Sequence, residues 1–323
     1  MAQAPDSDLV YNLYGGAFIA QVTRIALLLD VFTPLASGPR SADDMARACR
    51  TDGAGMRALL DYLSSVAILD YQPESRTYAL TLTAATFLVR GRPAYAGDWV
   101  LANTDPRLWE GALETLRSGQ TAAYAFPWAQ DAWLESYSTS RVAYSLEMWR
   151  AAGLEPGRQP GLHLADLACG CAIKSLALAQ ADPTLRVTCV DSPSVLDVAR
   201  DLAGRLGVGP QATFFPADLL ADDLGDARYN AALLGQITYI LTPEQNAQVF
   251  RRAFRALKPG GKLVVDSIMA GDAPSEWASR ATLLMKTLNG GAAHTFADYR
   301  RWLELTGFRQ VIQHNDHWLS AIK

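Results

Sequence analysis

Apolar positions recur along the chain in two rhythms, and the change from one to the other divides it. Over residues 9–32, Leu13, Phe18, Val22, Ile25, Leu28, Leu29 and Phe32 fall near helical spacing, which predicts an amphipathic helix of several turns. Pro34, Gly38 and Pro39 end it, and Ser41-Ala-Asp-Asp opens a second helix with a serine suited to capping and acids in the first turn. A third helix over 53–69 carries Met56, Leu59, Leu60, Leu63 and Val66 on one face. Residues 69–81 then read as a short hairpin turning at Pro73 to Arg76. Helices followed by such a hairpin make a winged helix.

Beyond Pro160 short apolar runs alternate with helical segments. Strands are expected at 164–168, 186–190, 212–216, 230–234 and 262–267, with helices at 174–181, 194–206 and 243–257. Short connections between buried strands demand a parallel sheet with right-handed crossovers. After a helix at Phe296–Thr306, the apolar segments starting at Gly307 and Trp318 are too close for a helical crossover, so they should pair antiparallel.

Residues 90–160 look helical and rich in aromatics: Tyr95, Trp99, Trp109, Tyr124, Phe126, Trp128, Trp133, Tyr137, Tyr144 and Trp149. Most read as core, and flat apolar side chains beside a ligand domain also suit a small-molecule pocket. Residues 153–161, with two prolines and three glycines, read as a linker. The expected division is therefore 1–90, 91–160 and 161–323.

The chemistry concentrates over 162–191. An apolar strand meets a turn of small residues at 168–172, then a helix, then a strand closed by Asp191. Backbone N–H groups at such a turn are expected to be free for a polar ligand. Asp191 could accept two hydrogen bonds from a ribose diol. A dinucleotide, another nucleoside cofactor and an ordinary ligand-free turn all remain compatible with this stretch alone.

Composition narrows the classes. The chain is 50% apolar and 19% charged with a net charge of −4, so no general attraction to nucleic acid or an anionic membrane is expected. No apolar run approaches the roughly 18 residues of a membrane helix, and the first residues lack a leader pattern. The four cysteines form no CxxC pair, which suits free thiols in a reducing cytoplasm. The expected DNA-reading helix holds one base, Arg57, against Asp61, and the wing offers Arg76 beside Glu74, which speaks against a DNA reader. His314 and His317, with Asp316 between them, are weak evidence for a metal.

Asp166-Leu-Ala-Cys-Gly170, followed by an Asp at the end of the next strand, resembles the S-adenosylmethionine (SAM) site of class I methyltransferases. The family pattern is Asp-x-Gly-x-Gly-x-Gly, with Ala168 and Ala172 here in place of the outer glycines. The winged helix, its Leu-Thr-Ala-Ala close at 82–85 and the terminal hairpin resemble the small-molecule O-methyltransferase family. That resemblance implies an α/β fold: a Rossmann-like SAM-methyltransferase sheet with a terminal antiparallel hairpin, preceded by a mainly helical winged-helix dimerisation domain. It implies SAM as cofactor, held by Asp166, Ala168 and Gly170 at the turn and by Asp191 and Ser192 at the ribose. Asp218 would meet the adenine amine with Leu219 over the ring, and Gly235 and Gln236 the methionine part. Leu257-Lys-Pro-Gly-Gly-Lys-Leu263 matches the family's turn before its fifth strand.

The departures bear on mechanism. Alignment places Tyr239 where the family carries its histidine base, and Ala293 where it carries the acid that orients the base. Tyr239 and His294, one residue from the missing acid, are the candidates to face the acceptor, although a phenol with a pKa near ~10 is a poor base at neutral pH. The expected reaction is transfer of a methyl group to a small aromatic or heterocyclic metabolite at nitrogen, carbon or an acidic hydroxyl. A non-methylating SAM-dependent reaction is the alternative, and a SAM-sensing regulator a lesser one. The family also implies a homodimer, in which Tyr11 or Tyr14 would reach the partner's pocket.

Overall fold

The computed structural model describes residues 8–92, 94–120 and 139–323. Contacts divide the chain into two compact units, one ending at Asp105 and the other starting at Pro106.

The first unit contains α1 (Asp8–Leu28), α2 (Phe32–Leu35), α3 (Ala42–Cys49), α4 (Gly53–Ser65), β1 (Leu69–Gln72), β2 (Thr77–Leu80), α5 (Leu82–Phe87) and α6 (Gly97–Asn103). The first helix stops short of Phe32 because Asp30 turns left-handed at φ 54° and the Val31 N–H reaches back to the Ala26 carbonyl. Side chains of Ser41, Asp52 and Thr81 cap α3, α4 and α5 by accepting N–H groups in their first turns. Leu27, Phe32, Met45, Met56, Leu60 and Leu63 form the core under the antiparallel β1–β2 wing. Leu9, Val10, Tyr11, Leu13 and Tyr14 of α1 are each at least 60% exposed. Arg57 on α4 lies 3.7 Å from the Asp43 carboxylate.

The second unit opens with α7 (Ala112–Ser118) and α8 (Thr139–Ala151). It continues through β3 (His163–Leu167), α9 (Ile173–Ala181), β4 (Arg186–Asp191), α10 (Pro193–Arg205), β5 (Ala212–Pro216), β6 (Tyr229–Gly235), α11 (Pro243–Ala256) and β7 (Leu257–Asp266). β8 (Met269–Ala270), α12 (Glu276–Leu288), β9 (His294–Thr295), α13 (Phe296–Thr306), β10 (Arg309–Gln313) and β11 (Trp318–Ile322) complete it.

The main sheet has seven strands in the order β10-β11-β7-β6-β3-β4-β5. Strands β3 to β7 pair in parallel, while β11 runs antiparallel to both β7 and β10, as the close spacing of the last two strands required. From β3 the chain steps outward to β4 and β5, then returns to β6 on the other side of β3. That reversal opens a crevice at the carboxyl ends of β3 and β6, where ligands of open α/β sheets bind. Apolar clusters cover both faces, one on Leu164, Val187 and Leu233, the other on Leu167, Val190 and Leu234.

The Lys-Pro-Gly-Gly stretch is a bulge inside a longer strand rather than a turn ahead of it. Tyr229 pairs with Leu257 and Ala231 with Lys262, so the residues between are looped out. A Cβ on Gly261 would stand 2.8 Å from the Lys258 carbonyl oxygen, which leaves room for glycine alone. Tyr124, Phe126, Trp128, Trp133 and Tyr137 lie outside the described residues. Among the described residues no helix is long and apolar enough to cross a membrane, and no group of His, Cys, Asp and Glu is arranged to hold a metal ion. All four cysteines are free thiols.

Candidate active site

Ala168, Gly170 and Ala172 all adopt left-handed φ, at 57°, 55° and 58°, and so fold the chain sharply between β3 and α9. For the two alanines this conformation costs on the order of 1 kcal/mol each relative to glycine. The expectation of free N–H groups in this turn is corrected at three positions. Cys169 N–H goes to the Val190 carbonyl at 3.1 Å, Gly170 N–H to Asp191 Oδ2 at 3.0 Å, and Ala172 N–H to the Cys169 carbonyl at 2.8 Å. The first two fasten the turn to β4 and the third closes it on itself, instead of offering these groups to a pyrophosphate.

Asp166 is buried, and its Oδ2 accepts the Ser175 hydroxyl at 2.5 Å. It braces α9 against β3 from beneath the turn. Asp191 is half-buried at the end of β4, where its Oδ1 accepts the Ser192 N–H at 2.8 Å as its Oδ2 accepts Gly170. Burial pushes its carboxyl above the usual range, and these two hydrogen bonds pull it partly back. Ser192 is exposed at the rim, as is Asp218, whose Oδ1 accepts the Leu220 N–H at 2.8 Å. The Ala217 N–H bonds the Asp191 carbonyl at 3.1 Å, so the ends of β4 and β5 lie side by side. Leu219 is buried among Val190 and Leu224.

On the other side of β3 stands a polar cluster that sequence reasoning missed. Gln236, left-handed at φ 60°, donates its N–H to the Asp266 carbonyl at 2.7 Å and its Nε2 to Asp266 Oδ1 at 3.1 Å. The Tyr144 hydroxyl donates to the same Oδ1 at 3.0 Å and receives Trp318 Nε1 at 2.7 Å. Burial beside the Asp266 charge pushes the Tyr144 phenol well above its usual pKa. Asp266 is fully buried, and Lys174, 8% exposed in the first turn of α9, brings its Nζ to 3.5 Å from Asp266 Oδ2. A Cβ on Gly235 would be 3.4 Å from Lys174 Cδ, so the bare strand end makes way for the lysine.

The loop after β6 is fixed from below. Hydroxyls of Thr238, Ser267 and Tyr299 form a buried triangle with sides of 2.7 to 3.0 Å, and Asn246 Nδ2 donates to the Thr238 carbonyl at 2.8 Å. Tyr239, 8% exposed, packs with Leu108, Leu284, Met285 and Leu288. A Cβ on Gly291 would stand 2.5 Å from the Tyr239 carbonyl, so the segment leading to Ala293 rests directly on the backbone of Tyr239. Ala293 itself donates its N–H to the Thr282 hydroxyl of α12 at 3.1 Å.

His294 does not face an open site. It is 8% exposed, with its ring centroid 4.8 Å from Trp302 and its Nε2 3.3 Å from the Leu241 carbonyl. A carbonyl only accepts, so Nε2 would carry the proton in that contact, while Asn246 Nδ2, a donor, lies 3.5 Å from the same atom. Desolvation lowers its pKa, and the bond to the Leu241 carbonyl offsets part of this. This packing turns the ring toward Trp302 and the Leu241 carbonyl.

The crevice therefore offers carboxylates at β4 and β5 and an oppositely charged pair at β6. This donor set fits a nucleoside with a zwitterionic amino-acid tail, as in SAM, better than a dinucleotide, whose pyrophosphate needs the N–H groups already spent in the turn.

Comparison with known proteins agrees. The methyltransferase domain family matches residues 164–261, and the O-methyltransferase dimerisation domain family matches residues 11–90. The chain is 24% identical to the mitomycin biosynthesis 6-O-methyltransferase of Streptomyces lavendulae, over 95% of this chain and 90% of that one. It is 23% identical to the aclacinomycin 10-hydroxylase RdmB of Streptomyces purpurascens, over 90% of this chain and 81% of that one. Human N-acetylserotonin methyltransferase in complex with SAM shares the fold with a TM-score of 0.79 at 19% identity, covering 100% of this chain and 99% of that one.

Proposed function

The chain belongs to the small-molecule O-methyltransferase family of class I SAM-dependent methyltransferases, and from that premise we propose that it acts on a flat aromatic or heterocyclic metabolite at an atom that is already nucleophilic. A ring or amine nitrogen, an electron-rich carbon or an acidic hydroxyl qualifies. The observation that carries this reading is the missing dyad: Tyr239 and Ala293 stand at the base and acid positions, and His294 is buried against the Leu241 carbonyl. Bound SAM supplies a methyl group activated by its sulfonium.

The protein then has mainly to hold donor and acceptor in line and keep water out. Asp191 takes the ribose hydroxyls with Ser192 at the rim, and Asp218 takes the adenine amine beside Leu219. Ala168 and Gly170 keep the turn free of bulk, Gly235 and Gln236 meet the methionine end, and Asp166 supports the turn through Ser175. Tyr239 lines the acceptor side.

The test is Tyr239→Phe and His294→Gln, the latter keeping a donor toward Leu241, assayed across pH once an acceptor is found. Each should retain activity to within about a thousandfold of the parent. A larger loss from either change at unaltered SAM affinity would show that a side-chain base operates. A second reading, in which SAM is bound but its methyl group is not transferred, is favoured by the similarity to a hydroxylase. Methyl-labelled SAM separates the two: label in the product supports transfer, and product without label supports the second reading.

The division we propose is 1–90 as the dimerisation domain, 91–160 as a connector, of which 93 and 121–138 lie outside the described residues, and 161–323 as the SAM-binding domain. The apolar residues exposed along α1 are more than a winged helix covers by itself, and a two-fold copy would bury them. Sedimentation should return a homodimer, and a monomer at micromolar concentration would contradict it.

A further inference from the structure

We propose that Lys174 binds the α-carboxylate of SAM and so selects cofactors with an intact amino-acid end, an inference that rests on the SAM reading above. The residue is out of place by local rules. It is the one charged side chain among the buried residues of α9, and it sits in the first turn, where the helix dipole disfavours a cation. Burying an ammonium is costly, and replacing a buried ion pair by apolar residues is often neutral or stabilising. The fold by itself gives no reason for the charge.

Position along the sheet edge gives one. Asp218 follows β5, Asp191 ends β4, the left-handed turn follows β3 and Gly235 ends β6. Adenine and ribose at the β5 and β4 ends direct the rest of the cofactor toward β6. There the Lys174 ammonium lies 3.7 Å from the place a Cβ on Gly235 would take. Asp266 holds that ammonium by charge at 3.5 Å, and Gln236 and Tyr144 hold Asp266 in turn. The cluster presents a positioned cation where the cofactor carries its carboxylate.

The experiment measures calorimetric binding of S-adenosylhomocysteine (SAH), the demethylated product, and of 5′-methylthioadenosine, which lacks the amino-acid end. Parent protein, Lys174→Met and the double variant Lys174→Met/Asp266→Asn are compared, the last leaving no buried charge unpaired. Both variants should bind SAH roughly ten- to a hundredfold more weakly, the worth of one charge-assisted bond, and bind methylthioadenosine as the parent does. Unchanged SAH affinity in the double variant overturns the proposal. Equal weakening of both ligands does so too, because it reveals a structural role only. Failure of the parent to bind either compound would instead remove the SAM reading on which the proposal stands.

Discussion

Asp191→Ala is expected to weaken SAH binding at neutral pH by about 1.5 to 3 kcal/mol, roughly ten- to a hundredfold. The carboxylate is held at the end of β4 by main-chain N–H groups on both oxygens, 3.0 Å from Gly170 and 2.8 Å from Ser192, so it meets the ribose already oriented. Alanine removes the charged acceptor and also one of the two hydrogen bonds that tie the turn to β4. An unchanged affinity would mean that the ribose lies elsewhere.

The same group makes binding pH-dependent. Burial raises the Asp191 pKa, and only the anion accepts from both ribose hydroxyls, so affinity should fall on acidification before ordinary surface carboxylates titrate. Its effect on folding has the opposite sign. A carboxyl whose folded pKa is raised contributes stability that is fully present below its unfolded pKa and is lost as the pH rises through the folded one. Asp191→Asn should bind with intermediate affinity and lose this part of the pH response, which calorimetry at a series of pH values would read directly.

Asp266→Ala should cost about 3 to 5 kcal/mol of stability, the usual penalty for removing one member of a buried ion pair. The variant leaves the Lys174 ammonium buried, and it takes the acceptor away from the Tyr144 hydroxyl and Gln236 Nε2 as well. The denaturation midpoint should drop with little change in slope. Asp266→Asn keeps an acceptor for the neutral donors and should cost less. A loss below about 1 kcal/mol for the alanine variant would mean that water reaches the cluster and the pair is not buried.

What the sequence disclosed follows from how local each signal is. The apolar runs of β3, β4 and β6 are buried on both faces, and such strands announce themselves without knowledge of their partners. The terminal hairpin was legible because so few residues separate Gly307 from Trp318 that no helical crossover fits. The turn at Gly170 and the acid closing the next strand at Asp191 were legible separately, since their spacing is carried in the chain, whereas the hydrogen bond between them was not.

Other features depend on tertiary context. Lys174 and Asp266 each look like an ordinary charge ending an apolar run, and only the sheet order brings them together. His294 stands next to the missing acid in sequence, yet the direction of its ring is set by Trp302 and the Leu241 carbonyl. The turn N–H groups seemed available because their acceptors, Val190 and Asp191, belong to another strand. Helix α12 was within reach of the sequence. Ser275 caps it, Glu276 opens it, and Ala281, Leu284, Met285 and Leu288 keep helical spacing.

The claim on which the rest depends is that the crevice at the ends of β3, β4 and β6 receives SAM and not a dinucleotide. Calorimetric titration of the full-length protein with SAM, SAH and NAD tests it most directly. Saturable binding of both sulfur compounds and none of NAD is expected. Tight binding of NAD with no affinity for SAM or SAH would contradict it.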